Sequence, residues 1–211
     1  MHGGAGELLL EGLPREGSVL VAGPPLTGKY RLMLELLAER GDSVVVVTTG
    51  RPTARVIEDY REVAGDVPGE AIGVVDCVSH DERTREVPES ETVRYVNSPQ
   101  NLTRIGVAFT EILSTLADRG GHIGVGLHSV SALSVYSDAQ TVYKFLQVFT
   151  GQAASQDAVC VAVYDTGGDT EQRSLVEQHF DCVVETREND AGERELRVRG
   201  VDAPAGEWRR F

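Results

Sequence analysis

Five short stretches of this chain are apolar almost without interruption, at residues 18–22, 43–48, 71–78, 123–127 and 158–164. Runs of that length, rich in valine and isoleucine, are how strands covered on both faces of a parallel sheet read. Between them the apolar residues recur at helical spacing. Leu32, Met33, Leu36 and Leu37 share one face of a helix over 31–38, with Arg31, Glu35 and Glu39 on another. Residues 53–64 predict a weaker helix. Leu102, Ile105, Phe109, Ile112, Leu113 and Leu116 mark one face of a long helix. Ser98-Pro99 would open that helix, and Gly120-Gly121 would end it. Val142, Phe145, Leu146 and Phe149 mark the next, with Ser137 and Gln140 as a capping box. A further helix is expected over 170–179.

Shorter strands are expected at 93–96 and, along an edge, at 7–10. Segments 181–186 and 193–199 read as a terminal hairpin around a polar turn. Residues 80–91 are polar and read as a surface loop. Strands alternating with helices give an α/β fold, a mainly parallel sheet with helices on both faces and a C-terminal β-hairpin. One domain is expected over 7–200, with a flexible N-terminus at 1–6 and a tail at 201–211. Gly124 and Gly126 would let a helix or backbone approach their strand closely.

Between the first strand and the first helix stands Gly23-Pro24-Pro25-Leu26-Thr27-Gly28-Lys29-Tyr30. Strand, glycine-containing loop, Gly-Lys, then helix is the context of a phosphate-binding loop. Such a loop aims backbone N–H groups, a helix N-terminus and one lysine at a polyphosphate. Residues 23–30 are therefore the candidate nucleotide-binding residues. Leu26 stands where a bulky side chain would narrow or strain the cradle. Tyr30 stands where a Ser or Thr hydroxyl is needed to hold Mg²⁺.

In that order of motifs the chain resembles the RecA/KaiC branch of P-loop ATPases, and within it a group of haloarchaeal KaiC-like proteins. The resemblance is carried by Gly23 to Lys29, by the stretch from Ser98 to Gly106, by His128-Ser129-Val130-Ser131-Ala132-Leu133, and by the stretch from Tyr136 to Leu146. It implies a RecA-like fold and, in an active member, four catalytic parts. The amide cradle and Lys29 are here. The hydroxyl after the lysine is replaced by Tyr30. The acidic residue of the Walker-B strand is replaced by His128, which makes this a degenerate Walker-B position. A neutral imidazole lacks a carboxylate's charge, and a protonated one repels a cation. The carboxylate that orients the attacking water is replaced by Thr48-Thr49-Gly50. Asp76, at another strand end, is available to be recruited, or else caps a loop.

The bulk composition fits this picture. Lysine and arginine total 20 against 33 acidic residues, for a formal charge of −13, and only Lys29 and Lys144 are lysines. An acidic, lysine-poor chain suits solubility in high salt. It offers no basic stripe for nucleic acid, which makes a nucleic-acid partner unexpected. No apolar run is long enough to span a membrane and no leader pattern is visible, so a cytoplasmic protein is expected. Cys77, Cys160 and Cys182 lie in apolar runs and read as small buried hydrophobes. His122 and His128 lack further ligands at zinc spacing, so no metal site is expected. Trp208, near the end, reads as a docking tail or as a ring packed on the parent sheet.

The expected function is a degenerate RecA/KaiC-like regulatory module. It would bind ATP weakly or not at all, hydrolyse little, and act on a protein partner or a second copy; the role of Mg²⁺ stays open. One alternative is an active ATPase using Thr27, Asp76 or residues from a neighbouring subunit. Another is a DNA recombination or repair accessory.

Overall fold

The computed structural model describes residues 17–167, 170–200 and 206–211. The expected flexible segment at 1–6, the edge strand at 7–10 and the first part of the tail, 201–205, lie outside them.

Among the described residues nine strands form one sheet: β1 (Gly17–Gly23), β2 (Ser43–Thr48), β3 (Ile72–Asp76), β4 (Val93–Tyr95), β5 (Ile123–His128), β6 (Val159–Asp165), β7 (Cys182–Glu188), β8 (Arg194–Gly200) and β9 (Arg209–Arg210). Six α-helices are described between them: α1 (Lys29–Arg40), α2 (Thr53–Ala64), α3 (Leu102–Ala117), α4 (Val130–Tyr136), α5 (Ala139–Ala154) and α6 (Thr170–Glu177). The strand order is β4-β3-β2-β5-β6-β1-β7-β8-β9. From β4 to β7 all pairs are parallel, and β7-β8 and β8-β9 are antiparallel. A parallel, two-sided sheet explains the unbroken apolar runs: every residue of β2 is buried.

Two cores lie on the two faces. One packs α3, α4, α5 and α6 on the sheet and includes Phe109 and Phe149, 4.4 Å apart at their ring centroids. The other packs α1 and α2 and includes Leu32, Met33, Leu36 and Leu37. Each such side chain contributes roughly 1.5–3 kcal/mol by leaving water. Gly124 and Gly126 serve as expected: a Cβ at Gly126 would sit 2.9 Å from Leu37 Cδ1 and 3.4 Å from Met33. Helix α1 thus lies close on β5, which fixes the phosphate-loop helix to the strand carrying His128.

Two helix starts differ from expectation. The cap of α3 is Asn101, whose Oδ1 accepts from Arg104 N at 3.1 Å; Ser98 instead accepts from Gln100 N in the preceding turn. The cap of α5 is Asp138, which accepts from both the N–H and the hydroxyl of Thr141, and Ser137 closes α4. A charged or amide acceptor nearer the apolar face outcompetes a serine one to three residues earlier. Helix α4 was not anticipated as a helix; Ser129 caps it.

The hairpin forms as expected, and strand β9 is added to its outer edge. Trp208 lies on the parent sheet, between the guanidinium groups of Arg187 at 4.0 Å and Arg197 at 4.5 Å from its ring centre. All three cysteines are buried, and burial pushes each thiol up to about 12. Among the described residues no helix is long and apolar enough to cross a membrane.

Candidate functional site

The parallel strands end on one rim of the sheet, where ligands of open α/β folds bind. Strand β1 delivers the loop 23–30 to that rim. Gly28 caps α1 with φ +85, a left-handed conformation open to glycine, and with no side chain capping the helix. The first N–H groups of α1 thus have no intrahelical acceptor, the arrangement expected of an anion-binding loop. Pro24, Pro25 and Leu26 are exposed. Leu26 has φ +67 and stands 89% exposed in water. It strains the loop backbone rather than narrowing the cradle.

Thr27 turns inward. Its hydroxyl shares a hydrogen bond with Thr186 Oγ1 at 2.7 Å and donates to Pro24 O. The hydroxyl proposed as a replacement metal ligand is therefore spent on tying the loop to β7. Lys29 is 5% exposed. Its ammonium donates to Pro24 O and lies 2.9 Å from Asp165 Oδ1. Asp165 ends β6, directly opposite Gly23 of β1 in the parallel register.

Tyr30 points away from the cradle. Its ring packs against His128, centroids 4.7 Å apart, and under the guanidinium of Arg51 at 4.4 Å. Its hydroxyl is buried beside the Asp59 carboxylate without a hydrogen bond of ordinary geometry. Burial, then the Asp59 charge, raises this phenol above its ordinary value. Asp59 itself is held by Arg51 at 3.2 Å and Arg55 at 2.8 Å.

His128 ends β5, opposite Thr48 of β2. Burial, aided by the charges of Arg51 and Lys29 and opposed by Asp165, lowers its pKa to about 4. The ring is neutral at neutral pH, and its Nδ1 is buried without a partner. The peptide after it is cis. Thr49 braces this turn: its hydroxyl donates to His128 O and accepts from Ser129 N, both at 2.8 Å. Thr48 Oγ1 closes its own turn onto Arg51 O at 2.9 Å. Asp76 is fully buried and accepts from Thr53 N, Thr53 Oγ1, Val78 N, Ser79 N and Ser79 Oγ. That carboxylate holds the start of α2 and the turn after β3.

These residues do not fit Mg²⁺, which takes near-octahedral oxygen ligands at about 2.0–2.1 Å. The rim offers a tyrosine ring and an imidazole where oxygen donors are needed. Thr27 and Asp76 are fully hydrogen-bonded, Asp59 is paired with two arginines, and Asp165 is paired with Lys29. Among the described residues no three His, Cys, Asp or Glu side chains converge as a metal site.

The fold thus brings Gly23 to Lys29 and His128 to one rim, and turns the side chain of Tyr30 out of the cradle onto His128. Sequence reasoning overlooked Asp165, Arg51 and Arg194. Asp165 had a signal: a carboxylate immediately after a buried strand lies on the ligand rim of a parallel sheet. Arg194 had none, because only the return of β8 brings it to the loop. A Cβ on Gly28 would lie 3.3 Å from Arg194 Nη1 and 3.4 Å from Phe211.

Solved structures share this arrangement of elements. An uncharacterised protein from Pyrococcus horikoshii, solved in complex with an unknown peptide, superposes with a TM-score of 0.68 at 10% identity, over 97% of this chain and 96% of that one. A KaiC-like protein from the same hyperthermophilic archaeon gives 0.61 at 13% identity, over 99% and 88%. The ATPase domain of a third protein gives 0.58 at 14% identity, over 92% and 80%. Identities this low show a shared RecA/KaiC-like fold. No curated protein matches the chain. One family profile, described as "Family of unknown function (DUF7504)", matches residues 17–186.

Proposed function

The chain belongs to DUF7504, a family of unknown function, and on that premise we propose that it is a phosphate-loop regulatory module of RecA/KaiC-like fold that binds a nucleotide and hydrolyses it little or not at all. The observation that carries this reading is the pairing of Tyr30 with His128. Two positions where the resembled ATPases place a metal-binding hydroxyl and a carboxylate hold a packed, neutral aromatic pair. The loop and its buried lysine persist beside them. Each missing catalytic group costs about 10²-fold or more in rate, so turnover falls far below binding.

The effect is exerted on a protein or peptide partner, or on a second copy. A chain of the same fold was solved with a peptide. Here a groove of about 760 Å³ between α3 and α5 leaves Val107 and Val148 in water. The acidic surface suits a salty cytoplasm. Nucleic acid is disfavoured by the charge of −13.

Purified protein in molar KCl with MgATP tests the reading, with phosphate release and nucleotide binding measured in parallel. Binding without release above background is expected. Turnover that Lys29→Ala abolishes would overturn it.

A further inference from the structure

We infer that the cradle takes a phosphoanhydride without a divalent cation, with Lys29 and Arg194 neutralising it, and that Asp165 is the internal counter-ion the phosphate displaces. This rests on reading the loop as a phosphate site and names what that site accepts.

Three placements carry the inference. The first is Asp165 itself. Strand β6 runs between β5 and β1, so its last residue reaches the loop and not the His128 strand end alone. The Asp165 carboxylate meets the Lys29 ammonium at 2.9 Å, an ordinary charge-assisted bond. The lysine is 5% exposed and the aspartate side chain 41%. A buried ammonium without an anion is strongly unfavourable, so the ligand-free loop needs a counter-ion. The exposed member of the pair is the one free to swing into water when a phosphate oxygen replaces it.

The second placement is Arg194. It is exposed, held on β8, and packed over Gly28 at the mouth of the cradle. It makes no ion pair among the described residues. Its guanidinium offers the forked donors that suit two phosphate oxygens. It comes from the opposite side of β1 from Asp165, since β6 pairs with β1 on one side and β8 lies beyond β7 on the other.

The third is the Tyr30–His128 pair. It fills the rim beside Arg51 with rings at the two positions where the resembled ATPases place a metal-binding hydroxyl and carboxylate. Mg²⁺ arriving on the anion would find neither of those two ligands. It would also cancel the charge that Lys29 and Arg194 attract, so chelation competes with binding.

Calorimetric titration of the full chain with sodium pyrophosphate, ADP and ATP, each in EDTA and in excess MgCl₂, tests this. Pyrophosphate alone separates recognition of the phosphoanhydride from recognition of the nucleoside. Affinity in EDTA equal to or tighter than in Mg²⁺ is expected. Asp165→Asn should tighten binding in EDTA about tenfold, and Arg194→Gln, an exposed change that leaves the loop intact, should weaken it about tenfold, the scale of one charged contact. Binding that Mg²⁺ strengthens tenfold, or that Asp165→Asn weakens, overturns the inference while leaving a nucleotide-binding module standing. No heat with any of the three anions in either buffer overturns both.

Discussion

Tyr30 and His128 are separated by 98 positions in the chain and lie ring to ring, 4.7 Å between centroids and tilted by 60°. Tyr30 is the second residue of α1, and His128 closes the strand on which α1 packs. The two substitutions at the rim are therefore one packed unit: the rings pack together at a tilt, and Arg51 lies over the Tyr30 ring.

A unit of that kind shows itself as coupling. A double-mutant cycle of Tyr30→Ala and His128→Ala, read by urea denaturation at pH 7.5, should give an interaction of about 0.5–1.5 kcal/mol, as aromatic pairs do. Strictly additive effects would mean that the rings merely adjoin.

His128 also makes stability depend on pH. Its ring titrates at about 4 in the folded chain, mainly because it is buried, against 6.5 ordinarily. The unfolded chain therefore takes up this proton first as pH falls. Its contribution is complete above pH 6.5, is lost between 6.5 and 4, and stays constant below. At about 1.4 kcal/mol per unit, the full loss is on the order of 3–3.5 kcal/mol, most of it between pH 6.5 and 4.5. His128→Gln should remove that part of the slope, measured as the change in unfolding free energy between pH 7.5 and 4.5 against the unsubstituted chain. An unchanged slope would contradict the neutral, buried ring.

Asp76 is a structural carboxylate, so its loss should cost stability and leave ligand binding in place. Asp76→Asn turns an amide toward groups that are all donors. The expected cost is about 2–3 kcal/mol, from unmatched buried donors. Thermal unfolding measures the cost, and pyrophosphate titration checks the binding. Selective loss of binding with unaltered stability would assign Asp76 to the site after all.

The hairpin is locked to α6 by charge. Glu185 accepts from Arg173 at 2.7 Å and from Arg197 at 2.6 Å, and Glu177 accepts from Arg173 and Arg199. Burial alone would raise the Glu185 carboxyl; the hydrogen bonds from Arg197 and Arg173 outweigh it and hold it below 4.5. A depressed carboxylate stabilises fully above its unfolded value and less as pH falls through the folded one. Glu185→Gln should destabilise by about 1.5–3 kcal/mol at pH 7, the scale of hydrogen bonds to a charged group. The gap to the unsubstituted chain should narrow below pH 4.5. A gap independent of pH would point to packing rather than charge.

Much of this architecture is written locally. The run at 43–48 and the weaker helix expected at 53–64 coincide with β2 and α2. The apolar face read on 102–116 is the buried face of α3. Caps were less legible, because Ser98 competes with Asn101, and Ser137 with Asp138, within one turn. Helix α4 was missed because seven residues give too little periodicity to stand out.

The loop at 23–30, its lysine, and the departures at Tyr30 and His128 were determined by the sequence alone, since each is a residue type in a strand–loop–helix frame that local pattern fixes. What those residues do was decided only by the tertiary structure. Strand β6 inserts between β5 and β1, which gives Lys29 its partner in Asp165. The return of β8 lays Arg194 on Gly28. The packing of α1 on β5 joins Tyr30 to His128. Strand order is set by how apolar faces are buried across the whole sheet, so contacts between strand ends have no signature in any one segment.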